Sequence, residues 1–151
     1  MKQHYTESDG LQLAYLDNGA VSDHVLILMH GLFARASLYI PFIEPINWRI
    51  VAPDLRGHGK SDHARAPADY NRAAYLHDLE VLLDAIGPAK QFVLLGHSLS
   101  AVTAYQYAAA HPDRIDGLII EDMGHKVSWR AVLCNEIPRA CTNAYLSLSE
   151  H

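Results

Sequence analysis

The serine at position 98 lies in a setting typical of a catalytic nucleophile. Residues 96–100 read Gly-His-Ser-Leu-Ser, and the apolar run 92–95 comes directly before them. Such a run predicts a strand buried on both faces, and a segment compatible with a helix begins at Leu99. Gly96 would let the chain turn sharply enough to expose the Ser98 hydroxyl beside the N–H groups of the first helical turn. This arrangement, a nucleophile elbow, serves acyl-transfer chemistry.

One position departs from the G-x-S-x-G pattern of such an elbow. Ser100 stands where the last glycine is expected, and a small serine is a mild replacement. A second interpretation of these five residues is a turn in which Ser98 caps the following helix. Short motifs have many false matches, so both interpretations stay open on these residues alone.

The rest of the chain predicts a scaffold that would hold Ser98 at a sheet edge. An alternating segment at 5–18 predicts a hairpin, and helices are predicted at 37–46, 75–86 and 99–111. Apolar runs predict buried strands at 25–29, 49–52, 91–95 and 118–120. This alternation builds a parallel sheet with helices on both faces, with ligands bound beyond the carboxyl ends of the strands. Four chemically active side chains follow those ends: His30, Asp54, Ser98 and Asp122.

Composition excludes several classes of function. A chain of 151 residues with a net charge of −5 is expected to form one domain without a basic surface for nucleic acid. The ten histidines contain no pair at metal-ligand spacing. Neither a metal nor an organic cofactor is expected. The polar N-terminus and the lack of long apolar runs predict a cytoplasmic protein that does not bind membranes, with Cys134 and Cys141 as free thiols.

Four stretches in order along the chain resemble a known family. They are residues 28–33 (LMHGLF), 54–61 (DLRGHGKS), 96–100 (GHSLS) and 111–115 (HPDRI). With them, residues 5–125 resemble the N-terminal half of an α/β-hydrolase of the single-domain esterase, thioesterase and haloperoxidase-like type. The resemblance implies an α/β fold with a mostly parallel twisted sheet, truncated after the strand that follows the nucleophile helix. Residues 1–125 would be the hydrolase core, and 126–151 a tail that begins a lid or forms an altered C-terminus.

The resemblance also implies roles for residues around the elbow. Ser98 would be the nucleophile, and the backbone amides of Leu32 and Leu99 would form the oxyanion hole. The residues expected to line the pocket are His30, Gly31, Phe33 and His97. The loop 54–61 is expected to be scaffold, held in place by Arg56.

The acid and the base of a triad are harder to assign. In this fold they follow the nucleophile in the order acid, then histidine, and the strands that would carry them are not visible here. Asp122 matches the acid of relatives that take it from the strand after the nucleophile helix; alternatively it is a solvent-facing strand end. His125 is the candidate base, followed by His151, but the leading interpretation is that the chain holds no base of its own.

These residues support two functions of different classes. The first is a serine hydrolase of small carboxylic esters or thioesters, impaired by the missing C-terminal half. Aspartate-nucleophile versions of the fold, such as dehalogenases and epoxide hydrolases, are disfavoured by the serine at position 98. The second is a catalytically incomplete half-domain that binds ligands or forms a homodimer through the exposed edge of the strand 118–120. A chain that does not fold stably alone is the third outcome.

Overall fold

The N-terminal residues form the predicted hairpin in a computed structural model that describes residues 1–43 and 46–121. Strand β1 (Lys2–Ser8) pairs antiparallel with β2 (Leu11–Asp17). Asp9 and Gly10 connect them with φ values of 51° and 74°, the positive values that a two-residue hairpin turn requires at both central positions. Strand β2 also pairs antiparallel with the sheet that carries the candidate nucleophile.

That sheet has six strands, and its central part is parallel as predicted. Strands β3 (His24–Met29), β4 (Arg49–Pro53), β5 (Gln91–His97) and β6 (Gly117–Glu121) join the hairpin in the order β1-β2-β4-β3-β5-β6. Strand β3 pairs in parallel with β4 and β5, and β5 pairs in parallel with β6. The carboxyl ends of β3, β5 and β6 therefore meet at one edge of the sheet.

Two α-helices cover one face of the sheet. Helix α1 (Arg72–Ile86) begins at Asn71, whose side chain accepts a hydrogen bond from the Ala74 N–H, and ends at Gly87 with φ of 81°. Its buried residues recur at helical spacing, and helix α2 (Leu99–Ala110) packs into the same core with Tyr107. The side chains of β3 that point to this face are Val25, Ile27 and Met29.

The opposite face is covered by a 3₁₀ helix, Ala36–Phe42, where the sequence predicted a helix at 37–46. Ala36 and Tyr39 pack there on Leu26 and Leu28. The segment is shorter and more tightly wound than the prediction, because Pro41 lies inside it and has no N–H to continue an α-helix.

The candidate acid and base lie outside the described residues, as does the tail 126–151. Within the part of the chain that is described, no helix is both long enough and apolar enough to cross a bilayer.

Candidate active site

Ser98 is the hinge between β5 and α2, and its backbone is strained. Its φ is 49° and its ψ is −107°, a combination that L-residues rarely adopt and that costs on the order of 1–3 kcal/mol. The Ser98 side chain makes no capping hydrogen bond to the helix that follows it. The interpretation of Ser98 as a simple helix cap is therefore wrong, and the geometry is that of a nucleophile elbow.

Gly96 allows the close packing that this turn needs. A Cβ at this position would lie 2.7 Å from the carbonyl oxygen of Ser100 and 2.8 Å from the Cα of Ala101. Ser100 fits at the position of the missing glycine because it is buried with its hydroxyl paired: Oγ donates a 2.6 Å hydrogen bond to the carbonyl oxygen of His30. The departure from the pattern thus ties the start of α2 to the loop after β3.

The loop after β3 lies directly against Ser98. Met29 is in register with Gly96 across β3 and β5, so the next residues of both strands meet beyond the sheet edge. A Cβ at Gly31 would be 3.3 Å from the Ser98 Cβ and 3.3 Å from the His97 Nδ1. Two of the predicted pocket residues, Gly31 and His97, are therefore brought together beside the candidate nucleophile.

The next two residues of this loop are open to solvent. Leu32 is 50% exposed and Phe33 is 99% exposed. The pocket role of Phe33 stays a prediction. The oxyanion role of the Leu32 and Leu99 amides stays a prediction.

His30 supports the loop from below. It is fully buried, and its Nε2 accepts a 3.0 Å hydrogen bond from the Leu55 N–H. The ring is therefore neutral with its proton on Nδ1, which lies 2.7 Å from the carbonyl oxygen of Gly31. Burial lowers the pKa of His30 below its ordinary value. The lowered pKa favours the neutral ring.

Two further histidines, His58 and His111, also have partners of their own. His58 places Nδ1 3.0 Å from the Arg56 carbonyl oxygen and Nε2 2.7 Å from that of Leu32. His111 ends α2 and stacks on Tyr107, away from the nucleophile. No sequence pattern reveals the His58 contact with the loop after β3, because it depends on how two loops from different strands meet.

The loop 54–61 is held in place by hydrogen bonds to its neighbours. The Asp54 carboxylate accepts hydrogen bonds from the backbone N–H groups of Ala36 and Lys60, which joins the 3₁₀ helix to the loop after β4. Gly59 is required here, because a Cβ at its φ of 55° would lie 2.2 Å from the Asp54 carboxyl group.

Arg56 anchors the same loop to α1. Its guanidinium forms a bidentate ion pair with Asp78, at 2.6 Å from Nε and 2.7 Å from the second nitrogen. It also donates a 2.8 Å hydrogen bond to the carbonyl oxygen of Asp69.

The end of β6 is joined to the nucleophile corner. The Ser98 N–H donates a 2.9 Å hydrogen bond to the carbonyl oxygen of Glu121, and Asp122, the candidate acid, is the next residue in the chain. Asp122, His125 and His151 themselves lie outside the described residues, so their roles stay predictions.

A separate cleft of about 620 Å³ lies at the amino ends of the strands. It is lined by residues such as Phe92, Lys90 and Arg114. Its two cations are already paired, Lys90 with Asp23 and Arg114 with Asp84. This cleft is at the opposite edge of the sheet from Ser98, so we do not assign the chemistry to it despite its size.

Comparison with known proteins identifies the family. Residues 24–132 match the family model described as the alpha/beta hydrolase fold. The chain belongs to the α/β-hydrolase family. Residues 1–43 and 46–121 of this hydrolase contain no cluster of three or more histidine, cysteine, aspartate or glutamate side chains that could hold a metal ion.

The hydrolase is similar to proteins of more than one activity. It is 34% identical over 98 residues to epoxide hydrolase 3 of Siraitia grosvenorii, a match of 63% of this chain and 31% of that protein. Among solved structures, the thioesterase domain from the curacin biosynthetic pathway superposes with a TM-score of 0.77 at 27% identity, over 87% of this chain and 50% of that one.

An alpha/beta hydrolase from Novosphingobium aromaticivorans superposes with a TM-score of 0.72 at 35% identity, over 86% of this chain and 47% of that one. The chain thus spans about a third of that epoxide hydrolase and about half of each of these two solved structures.

Proposed function

We propose that this α/β-hydrolase chain carries the nucleophile half of a serine hydrolase that cleaves carboxylic esters or thioesters. The observation that carries the proposal is the strained backbone of Ser98, with φ of 49°, at the corner between β5 and α2. Strain of this kind persists only where the surrounding structure imposes it, and it is concentrated at functional sites. The loop that would bind the oxyanion packs against the same side chain.

The reaction would begin with attack of Ser98 Oγ on the substrate carbonyl carbon while a base removes the hydroxyl proton. The negative charge on the carbonyl oxygen would be stabilised by the N–H groups of Leu32 and Leu99, each worth about 3 kcal/mol in such sites. Expulsion of the alcohol or thiol leaves an acyl ester on Ser98. Water then attacks that ester and releases the acid.

An ester substrate is proposed in preference to an epoxide because the nucleophilic atom is a serine hydroxyl oxygen. A serine that opened an epoxide would be left with an ether, which has no carbonyl for water to attack, so the enzyme could not turn over. An acyl-serine has that carbonyl. The similarity to an epoxide hydrolase in sequence and to a thioesterase in structure is therefore interpreted in favour of acyl transfer.

The base is proposed to come from outside the described residues. Two histidines near the nucleophile are occupied: His30 accepts from the Leu55 N–H, and both nitrogens of His58 lie against carbonyl oxygens. The candidates within this chain remain His125 and His151, with Asp122 as the acid. Without a base the site would retain only the catalysis of its oxyanion hole, about 10³–10⁴ over water.

Labelling by a fluorophosphonate tests the nucleophile, and turnover of p-nitrophenyl acetate and butyrate tests the reaction. We expect labelling of the 151-residue chain and none of Ser98→Ala. Loss of turnover in Ser98→Ala and in either His125→Ala or His151→Ala would identify a complete triad in this chain. Turnover equal in all four proteins would mean background hydrolysis and would contradict the proposal. Hydrolysis of styrene oxide but not of the esters would favour an epoxide hydrolase.

A second candidate is a half-domain that dimerises, and the position of β6 favours it. Within the described residues, β6 is the last strand of the sheet and pairs with β5 alone. An unpaired parallel edge is a template for a strand of another chain. Sedimentation that shows a concentration-dependent dimer, together with no labelling of Ser98, would support this function over the first.

A further inference from the structure

Three consecutive carbonyl groups of the loop after β3 each lie within hydrogen-bond distance of a side chain. The carbonyl of His30 accepts from Ser100 Oγ at 2.6 Å and that of Gly31 from His30 Nδ1 at 2.7 Å, and the carbonyl oxygen of Leu32 lies 2.7 Å from His58 Nε2. We call these three side chains the carbonyl clamp. They come from α2, from the loop itself and from the loop after β4.

Fixing a carbonyl also fixes the amide that shares its peptide plane. The C=O of one residue and the N–H of the next are held rigidly in opposite directions across a trans peptide. The bond from His30 to the Gly31 oxygen therefore sets the direction of the Leu32 N–H. The bonds to the His30 and Leu32 oxygens set the two neighbouring planes in the same way.

Ser100 is the member of the carbonyl clamp that departs from the G-x-S-x-G pattern. It stands where the elbow pattern has glycine, and a glycine there would leave the buried carbonyl of His30 without this donor. Its hydroxyl is about as buried as any polar group in the described part of the chain, at 1% exposure. The single O–H donor of this buried hydroxyl is therefore committed to the His30 carbonyl.

We propose that Ser100 is a positioning residue for the loop whose Leu32 amide faces the oxyanion. By holding the His30 carbonyl it fixes the peptide plane that carries the Gly31 N–H, which comes directly before the plane that carries the Leu32 N–H. His30 and His58 are the other members of the carbonyl clamp. The proposal rests on the proposed function, because it assumes that an oxyanion forms at Ser98. The orientation of the peptide planes, however, can be measured without any reaction.

The first measurement is amide hydrogen exchange, followed by NMR, in wild type, Ser100→Ala and Ser100→Thr. Loss of one buried hydrogen bond should speed exchange at Gly31 and Leu32 by roughly fivefold to tenfold in Ser100→Ala. Exchange at Ile27 and Leu94, in the middle of the sheet, should stay unchanged. Ser100→Thr retains the hydroxyl and should restore the wild-type exchange rates.

The second measurement is the saturation kinetics of fluorophosphonate labelling at Ser98. A correctly oriented Leu32 amide would stabilise the transition state of labelling and not the initial binding of the probe. The maximal labelling rate of Ser100→Ala should therefore fall about tenfold, while the half-saturating probe concentration stays constant. The matched control is Thr103→Ala, which removes another buried hydroxyl of α2, one that accepts from Arg72 at 2.9 Å and does not contact the loop. It should leave the maximal rate unchanged.

The two measurements separate the possible failures. Equal exchange at Gly31 and Leu32 in wild type and Ser100→Ala would overturn the clamp, whatever the labelling shows. Faster exchange in a chain whose Ser98 is never labelled would uphold the clamp and contradict the proposed function instead. A fall in labelling rate as large in Thr103→Ala as in Ser100→Ala would assign Ser100 a general structural role and overturn the proposal.

Discussion

The backbone N–H of Ser98 donates a 2.9 Å hydrogen bond to the carbonyl oxygen of Glu121. This bond extends the pairing of β5 with β6 by one step beyond the sheet, from His97 opposite Glu121 to the nucleophile itself. Ser98 is thus held on three sides: by β6 through this bond, by Gly31 through close contact, and by α2 through the chain. A residue so enclosed can be kept in a backbone conformation that it would not adopt alone.

That strain predicts an inverted order of stability at position 98. Alanine is normally favoured over glycine within a folded chain by about 0.5–1 kcal/mol, but a positive φ costs an L-residue about 1–2 kcal/mol relative to glycine. We expect Ser98→Gly to be more stable than Ser98→Ala by about 1 kcal/mol in urea unfolding. An alanine variant that is the more stable of the two would show that the corner relaxes freely.

The packing of Gly96 predicts that a single methyl group at this position destabilises the protein. A Cβ here would meet the backbone of α2 at 2.7 and 2.8 Å, so helix and strand must separate, which typically costs about 1–3 kcal/mol. The matched control is Gly117→Ala on β6, where the nearest atom is a Val93 side-chain methyl at 3.1 Å. Gly96→Ala should lower the thermal midpoint clearly more than Gly117→Ala, and equal effects would contradict the close approach.

The ion pair of Arg56 and Asp78 predicts that substitutions at these two residues have strongly non-additive effects on the free energy of unfolding. Both side chains are almost completely buried, at 2% and 11% exposure, so Arg56→Met or Asp78→Leu alone leaves an unpaired buried charge and should cost about 3–5 kcal/mol. The double variant should lose much less stability than the two single variants lose together. The exposed pair of Lys90 and Asp23 is the control, since breaking it should change the unfolding midpoint little. Additive single effects at Arg56 and Asp78 would argue against a direct ion pair.

His30 predicts a loss of stability in mild acid. Its pKa is lowered by burial in the folded chain, so below its ordinary value of about 6.5 the unfolded chain takes up a proton that the folded chain does not. The free energy of unfolding should therefore fall as the pH drops below about 6.5, and level off below the lowered pKa.

The control for this pH dependence is His30→Gln, which keeps an acceptor for the Leu55 N–H and a donor but does not titrate. Urea unfolding between pH 7.5 and 5 should show a smaller decrease in the variant than in wild type. Parallel pH profiles of the two proteins would mean that other groups cause the decrease.

Much of this protein could be predicted from local sequence. Apolar runs such as 25–29 and 92–95 predicted strands, and both are strands, although every second residue of 92–95 is only half-buried. The spacing of Tyr75, Leu79 and Leu83 corresponds to one face of a helix. The residues 96–100 marked the elbow because a glycine, a serine and a strand-to-helix change coincide there. Each of these patterns depends only on residues that are close in the sequence, so each can be recognised without knowledge of the fold.

Other features of the site depend on contacts between residues that are distant in the sequence, and only the tertiary structure reveals them. The strain at Ser98, the single tautomer of His30 and the use of the Ser100 hydroxyl all depend on the register that brings Met29 beside Gly96. The segment with Pro41 is a 3₁₀ helix whose residues Ala36 and Tyr39 pack on the sheet. Local patterns determined where the nucleophile stands in the chain, but only the meeting of three strand ends determined which carbonyls and amides surround it, because those contacts join residues far apart in sequence.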